Sequence, residues 1–302
     1  MRSTAPPPSC EGEMGLNRKA IVSRHNPVLT KPDPLAPLSI GNGEFGFSVD
    51  ATGLQTFYDD YETPLGTMSN WGWHSTGGRR VYTAKDIEFQ PFDTYGRTVG
   101  YPMKPGNKAA AYHWLRQNPH RLQLGRLAFR LLHRNGTEAR LNDLERLRQE
   151  LDLWSGIVRS EFVFDDRPVS VVTSCHAEHD AIGVRVASPL LAENRLQIFL
   201  RFPAPDMTNT AWDKAVFPDW GSDERHRTAV AEETPTSVVL LRTADEDGYR
   251  VRWEWTEGGS VRRTGPHEFT LSGAPGGERL ETTVVFAPGE PSRITAEEAE
   301  QS

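Results

Sequence analysis

The stretch Asn70-Trp71-Gly72-Trp73-His74-Ser75 sets two indoles around one glycine, beside an amide, an imidazole and a hydroxyl. Sugar rings ask for this combination, because their C–H faces stack on indole while their hydroxyls seek polar partners. Either tryptophan could instead fill a core or an interdomain contact. Position in an irregular stretch favours ligand binding, since loops carry recognition residues on a rigid frame. Ser23-Arg24-His25-Asn26-Pro27 is a second polar group, ahead of the first strand. It either starts a turn at Asn26-Pro27 or reaches the same ligand. The expected binding residues are therefore Asn70, Trp71, Trp73 and His74, with His25 and Asn26 beside them.

Other chemistries have weaker support. Asp59, Asp60 and Glu62 invite comparison with the two carboxylates of glycoside hydrolysis. On a strand, neighbours point to opposite faces, so only Asp60 and Glu62 could pair, and solvated turn residues explain the cluster as well. His176 and His179 suggest a metal with Glu178 or Asp180, but the segment reads as a hairpin tip and H-E-x-x-H is absent. Gly41-Asn42-Gly43-Glu44-Phe45-Gly46 resembles a phosphate loop only superficially. Glu44 would repel the anion, and Phe45, Phe47 and Val49 alternate as in a strand, which predicts a tight turn with a residue at positive φ. No G-x-S-x-G elbow occurs, so nucleophilic catalysis lacks a motif, and neither a metal nor a cofactor is expected.

These residues need a frame, and 302 residues can bury a full core. Proline at 22 positions and glycine at 26 imply many turns and few long helices. A formal charge of −7 argues against nucleic acid or an anionic membrane as partner. Two cysteines, one of them in the Pro-rich leader, give neither a disulfide framework nor a thiolate metal site. The leader "MRSTAPPPSCEGEMG" lacks the apolar stretch of an export signal, so the chain reads as cytoplasmic, or as extracellular if its start is misassigned.

Residues 1–16 have little to bury and are expected to be disordered. Beyond them, short alternating or apolar runs separated by turn residues predict antiparallel strands. "LQTFYDDYETPL" is one such run. "GRLAFRLLHRNGTEARL" is a hairpin about Asn135-Gly136, and "TSVVLLRTADEDGYRVRWEWTEGG" a hairpin about Asp247-Gly248. Four more strands lie between Leu151 and Pro189, broken at Ser155-Gly156, Asp165–Pro168 and Ala177–Asp180. "RLQIFLRFP", "HEFTLSG" and "ERLETTVVFAP" add further strands. Leu141, Leu144, Leu147 and Leu151 have helical spacing behind Asn142, which predicts one short helix there. Residues 59–120 read as long loops with strand fragments.

Two motifs together carry a family resemblance. "LSIGNGEFGF", with "QELDLWSGIVRSEFVFDDRPVSVVTSCHAEHDAIGVRV" further on, resembles the N-terminal β-supersandwich domain of six-hairpin glycosidases. That group includes maltose- and kojibiose-phosphorylase-like and α-fucosidase-like enzymes and uncharacterised relatives. "RFPAPD" and "WDKAVFPDW" are similar to the uncharacterised subgroup. The resemblance implies a mainly all-β fold, a two-sheet antiparallel β-supersandwich with long loops and at most one or two short helices, over residues 17–290. Residues 291–302 would be an acidic tail or the start of a linker. It also implies a helical toroid that carries the general acid and base, and no stretch of this chain offers one.

The expected role is thus a non-catalytic domain of a carbohydrate-active hydrolase or phosphorylase. Its expected partners are a carbohydrate and a toroid domain, in cis or in trans. Two rivals are a free-standing carbohydrate-binding module and, by analogy with sugar epimerases of similar architecture, a mutarotase-like enzyme. The second would use His176, or His267 with Glu268, for proton transfer.

Overall fold

A computed structural model describes residues 16–76, 81–205 and 218–302. The leader up to Gly15, and Trp212 to Phe217 of "WDKAVFPDW", lie outside the described residues. The fold is mainly β, as the sequence predicts. The largest sheet has nine antiparallel strands. Their spatial order is β1 (Val28–Leu29), β10 (Glu145–Asp152), β11 (Ile157–Phe164), β12 (Arg167–Cys175), β13 (Ala181–Ala187), β20 (Arg279–Ala287), β17 (Asp247–Trp255), β16 (Ser237–Ala244) and β15 (His226–Thr234). A four-stranded sheet runs β18 (Ser260–Gly265), β19 (Glu268–Ser272), β14 (Leu196–Arg201), β9 (Arg126–Leu131). A smaller sheet joins β2 (Leu38–Gly41), β3 (Phe45–Val49) and β4 (Thr67–Ser69), while β5 (Trp73–His74) pairs with β8 (His120–Arg121) and β6 (Gln90–Thr94) with β7 (Arg97–Tyr101). Among the described residues four short α-helices, α1 (Arg18–Val22), α2 (Ala109–Gln117), α3 (Pro189–Ala192) and α4 (Ala296–Gln301), connect or cover them.

Alternation decides which face of each strand is buried. In β11, Val158, Ser160, Phe162 and Phe164 are buried while Arg159 and Glu161 are exposed. Inward residues of the two larger sheets, such as Phe164, Val184, Leu240 and Trp253 against Leu127, Phe129, Ile198 and Leu271, form one continuous core. Burying each such side chain contributes roughly 1.5–3 kcal/mol. The single polar atom of Trp253 is satisfied, its Nε1 donating to Thr282 Oγ1 at 2.7 Å. The β2–β3–β4 sheet joins the same core through Ile40, Phe45, Phe47 and Val49.

Turn chemistry fixes the hairpins. Asp165 and Asp166 both take positive φ, 48° and 62°, in the two-residue turn between β11 and β12, which short polar side chains tolerate. The Asn135-Gly136 turn also forms, with Gly136 at φ 83°, but the returning chain pairs only through the isolated bridge of Leu132 with Glu138. In the β16–β17 hairpin the turn is Asp245-Glu246; Asp247 and Gly248, expected to make it, are paired with Ala244 and Thr243.

Two segments depart from the periodicity. The helix expected over Leu141–Leu151 is a 3-10 turn, Leu141–Asp143, followed by β10. Arg146 at φ 51° makes a bulge there, after which Leu147, Gln149 and Leu151 alternate along a strand. The strand expected in "LQTFYDDYETPL" does not form either. Asp50 is fully buried, and its carboxylate accepts from Thr52 N at 2.8 Å, Thr52 Oγ1 at 2.6 Å and Phe57 N at 2.5 Å. Those local bonds wind the backbone into turns and take the place of a ladder. Asp59, Asp60 and Glu62 consequently sit exposed on and after the 3-10 turn Tyr58–Asp60.

Helix α4 covers the outer face of β13 and β20, where Ala181, Val285, Ile294 and Ala299 form a small second core. Thr295 caps the helix reciprocally with Glu298. Gly183 permits the close approach, because a Cβ there would lie 2.8 Å from Ala299 Cβ and 3.1 Å from the Ala296 carbonyl oxygen. Gly183→Ala is expected to cost about 1–3 kcal/mol by overpacking, with part of it recovered in the Gly183→Ala/Ala299→Gly double variant, as denaturant unfolding would measure.

Burial pushes the Asp50 carboxyl up from 3.8 to about 6, outweighing the Phe57 and Thr52 hydrogen bonds that favour its anion. A raised folded-state pKa means that the folded chain holds the proton more tightly than the unfolded chain. The associated stability is present in full below 3.8 and is lost as the pH rises through about 6. The stability of the natural chain relative to Asp50→Asn should therefore fall by about 2 kcal/mol from pH 4 to pH 7, read from unfolding curves across that range. A pH-independent difference would show that the three donors hold Asp50 ionised throughout.

Candidate functional site

The Asn70–Ser75 stretch is held from below by the β2–β3–β4 sheet. Asn42, between β2 and β3, accepts from Glu44 N at 3.0 Å and Phe45 N at 2.8 Å, and its amide donates to the carbonyls of His176 and His179 at 3.2 and 3.1 Å. Gly43 takes φ 93°, and at Gly41 a Cβ would lie 2.2 Å from the Phe45 carbonyl oxygen. The backbone N–H groups that a phosphate would need are thus already used, and the glycines serve a tight turn. One turn residue further round the same hairpin, Asp180, accepts through Oδ2 from Ser69 Oγ and from Trp71 Nε1, both at 2.6 Å. The backbone then turns at Asn70, whose N–H donates to the Glu44 carbonyl at 2.8 Å, and leads into β5.

This geometry separates the two tryptophans. Trp71 is half-buried, tied to Asp180 and tilted against Tyr249 at 5.9 Å between ring centres. It is a packing residue. Trp73 is 46% exposed, and one indole face is covered by the Arg121 guanidinium, 4.1 Å from the ring centre. Arg121 is itself fixed by donation to the Ser69 carbonyl. The other Trp73 surface faces a cleft of about 510 Å³ lined also by His74, Ser75, Tyr82, Trp114, Asn118 and Asp247. That volume suits a small ligand.

His74 is buried, with Nδ1 2.9 Å from Asp247 Oδ2. Its Nε2 lies 3.2 Å from Asp245 Oδ2 without the alignment of a hydrogen bond. Asp245 lies in the β16–β17 turn and Asp247 is the first residue of β17, so the end of this hairpin reaches the cleft. His120, paired with His74 across β5 and β8, meets it edge-on at 5.1 Å. Burial, followed by the neighbouring His74, drives the His120 pKa down to about 4, so this imidazole is neutral at physiological pH.

Helix α2 and its flanks form the opposite wall. Trp114 donates through Nε1 to the Thr76 carbonyl at 3.0 Å, and Asn118 accepts from Thr76 N at 2.8 Å while donating to the Trp114 carbonyl at 3.0 Å. Tyr82 stands edge-on to Trp114 at 5.9 Å. The cleft thus offers flat apolar walls with a carboxylate, an amide and a hydroxyl at its margin. It can stack a ring and accept or donate hydrogen bonds around it.

Of the six expected binding residues, Trp73 and His74 line this cleft. Trp71 and Asn70 hold the turn beneath it. Asn26 accepts from Leu153 N at 3.0 Å and donates to Glu150 Oε1 at 3.4 Å, so it fastens the β10–β11 turn, and His25 is exposed in the 3-10 turn Ser23–His25. Sequence reasoning missed Tyr82, Trp114, Asn118 and Asp247. The available signal was the aromatic content of residues 59–120, together with the alanine-led run before Asn118-Pro119.

The histidine groups behave differently from a metal centre. His176 accepts from Glu178 N at 3.0 Å and stacks obliquely on His179 at 4.8 Å, within the hairpin tip. Asp223, His226 and His267 bring ligand atoms within 4.8 Å of one another. The Arg242 guanidinium stands 2.5 Å from His226 Nδ1 and 3.4 Å from His267 Nδ1, so a fixed cation already occupies that position. Burial first, then Arg242, holds His226 down at about 3. The two buried imidazoles fit a hydrogen-bonded network with Arg242, beside the exposed Asp223, better than a cation site.

No family model matches the sequence, and no curated protein does. Among solved structures the chain is similar to a putative kojibiose phosphorylase from the human microbiome, with a TM-score of 0.49 and 11% sequence identity. The match covers 88% of this chain and 32% of that one, so the chain spans about a third of that protein's length.

Proposed function

We propose that this chain is a non-catalytic β domain of a carbohydrate-active six-hairpin glycosidase or phosphorylase, and that the Trp73 cleft contributes to its sugar site. The observation that carries this reading is the aromatic cleft itself. One free indole face, a second indole and a phenol surround about 510 Å³, with Asp247 and Asn118 at hand for hydroxyls. The "GNGEFG" and "LDLWSG" motifs support the family part of the reading, and the helical toroid would be the packing partner that supplies the acid and base. Among the described residues no helix is long and apolar enough to cross a membrane.

Geometry counts against the epimerase rival. His267 and Glu268 are neighbours at the start of β19 and point to opposite sides. His267 is buried against His226 at 3.6 Å and bonded to Thr228 Oγ1 at 2.7 Å, whereas Glu268 is 3.0 Å from Arg130 on the outer face. An acid–base pair would need both on one side.

The domain should bind oligosaccharide weakly and hydrolyse none, staying far below about one turnover per second. Screening on a glycan array followed by calorimetry should give a ligand whose affinity falls about tenfold or more in Trp73→Ala and in Trp114→Ala, with unfolding midpoints little changed for Trp73→Ala. Binding unaffected by both substitutions would exclude the cleft. Binding that appears only when a helical toroid domain is added would favour the two-domain site over a free-standing module.

A further inference from the structure

The four-stranded sheet has a second cavity on its outer face, about 320 Å³ and predominantly polar. Register explains what lines it. Arg201 of β14 lies directly opposite Arg126 of β9, so two guanidinium groups emerge side by side on one face. Phe199 forms the floor between them, and the 3-10 turn Tyr58–Asp60 forms a wall.

Both groups are held in place. Arg126 donates through Nε to the Gln55 carbonyl at 2.8 Å and through Nη2 to the Thr56 carbonyl at 2.6 Å, with its plane near the rings of Tyr58 and Phe199 at 5.3 and 5.4 Å. Arg201 donates through Nη2 to the Trp220 carbonyl at 2.6 Å and lies 5.8 Å from that indole. Among the described residues, neither has a carboxylate within 4.0 Å. Arg130, on the same face, shows the contrast. Its guanidinium is 3.4 Å from Glu138 and 3.0 Å from Glu268, so that end of the cavity is neutralised.

Like charges placed directly across a strand pair are destabilising. Backbone carbonyls orient these two cations but do not neutralise them. Burial foremost lowers the pKa of Arg126 and the neighbouring Arg201 adds to that, while the more distant charges of Asp59 and Asp50 act against it without forming an ion pair; the guanidinium stays charged. Both residues line the cavity, and among the described residues Nη1 of Arg126 and Nε and Nη1 of Arg201 have no hydrogen-bond partner. The exposed carboxylates of Asp59 and Asp60 stand at the rim, too far to pair but able to accept from hydroxyls.

We propose that Arg126 and Arg201 form a binding site for the oxyanion of a small hydroxylated ligand, a sugar acid or a sugar phosphate. The anion would bridge the two unmatched guanidinium groups, and the ligand's hydroxyls would turn towards Asp59 and Asp60. This site is separate from the Trp73 cleft and does not depend on it.

The test is calorimetric titration of the full chain at low ionic strength with D-glucuronate, inorganic phosphate and, as the uncharged control, D-glucose. At least one anion should bind about tenfold tighter than glucose, and which one does so distinguishes carboxylate from phosphate. Arg201→Gln should weaken that binding about tenfold or more, added salt should weaken it, and Asp59→Asn should tighten inorganic phosphate, which brings no sugar hydroxyl to that carboxylate, by removing a nearby negative charge. Trp73→Ala should leave it unchanged. Asp59 is exposed, so its substitution reports on the site even if Arg201→Gln lowers stability. Anions that bind no better than glucose, or binding that is indifferent to both substitutions, would overturn the proposal.

Discussion

Three side chains of the first third of the chain grip one hairpin tip, and the position of the cleft follows from that grip. Asn42 donates to the carbonyls of His176 and His179, while Asp180 accepts from Ser69 and Trp71. The β2–β3–β4 sheet is small and would be marginal alone, but these bonds and its share of the core join it to the nine-stranded sheet. Because Asp180 also offers its carbonyl to Phe286 N at 2.8 Å, the tip is anchored to the central strand β20. Rigidity thus passes from the middle of the large sheet to the turn that aims Trp73.

The same logic recurs with buried polar side chains elsewhere. Gln149 of β10 donates to the Asp50 carbonyl at 2.7 Å and to Ser160 Oγ at 2.9 Å, and Gln55 reaches Ser48, Gly66 and Thr67. Loops that would otherwise expose unpaired backbone are satisfied by these side chains. Buried polar groups here specify which way a loop runs, and the apolar core supplies most of the stabilisation.

The strands between Leu151 and Pro189 were legible because turn chemistry and alternation agreed, as at Asp165-Asp166 and Gly156. The leucines from Leu141 to Leu151 misled because their helical spacing also fits a turn, a bulge at Arg146 and a strand. In "LQTFYDDYETPL", alternation lost to a single buried carboxylate that lies upstream of the window. The candidate site was half legible. Trp71 and Trp73 look alike in sequence, and only a carboxylate 109 positions away makes one a strut and leaves the other free. Asp247 was read as a turn residue; its position beside His74 is set by strand pairing far along the chain.

The pairing of His74 with His120 joins the two ends of the segment that carries Tyr82, α2 and Trp114. Those ends stand one strand spacing apart, so the segment leaves and re-enters the sandwich at a single doorway. The entropy of closing such an insertion grows only slowly with its length, so it can be exchanged or lengthened at little cost to the sandwich beneath. One wall of the cleft, Trp73 with Arg121 behind it, belongs to the frame; the facing wall is a cassette. Replacing that cassette would therefore change the facing wall of the cleft and leave the nine-stranded sheet untouched.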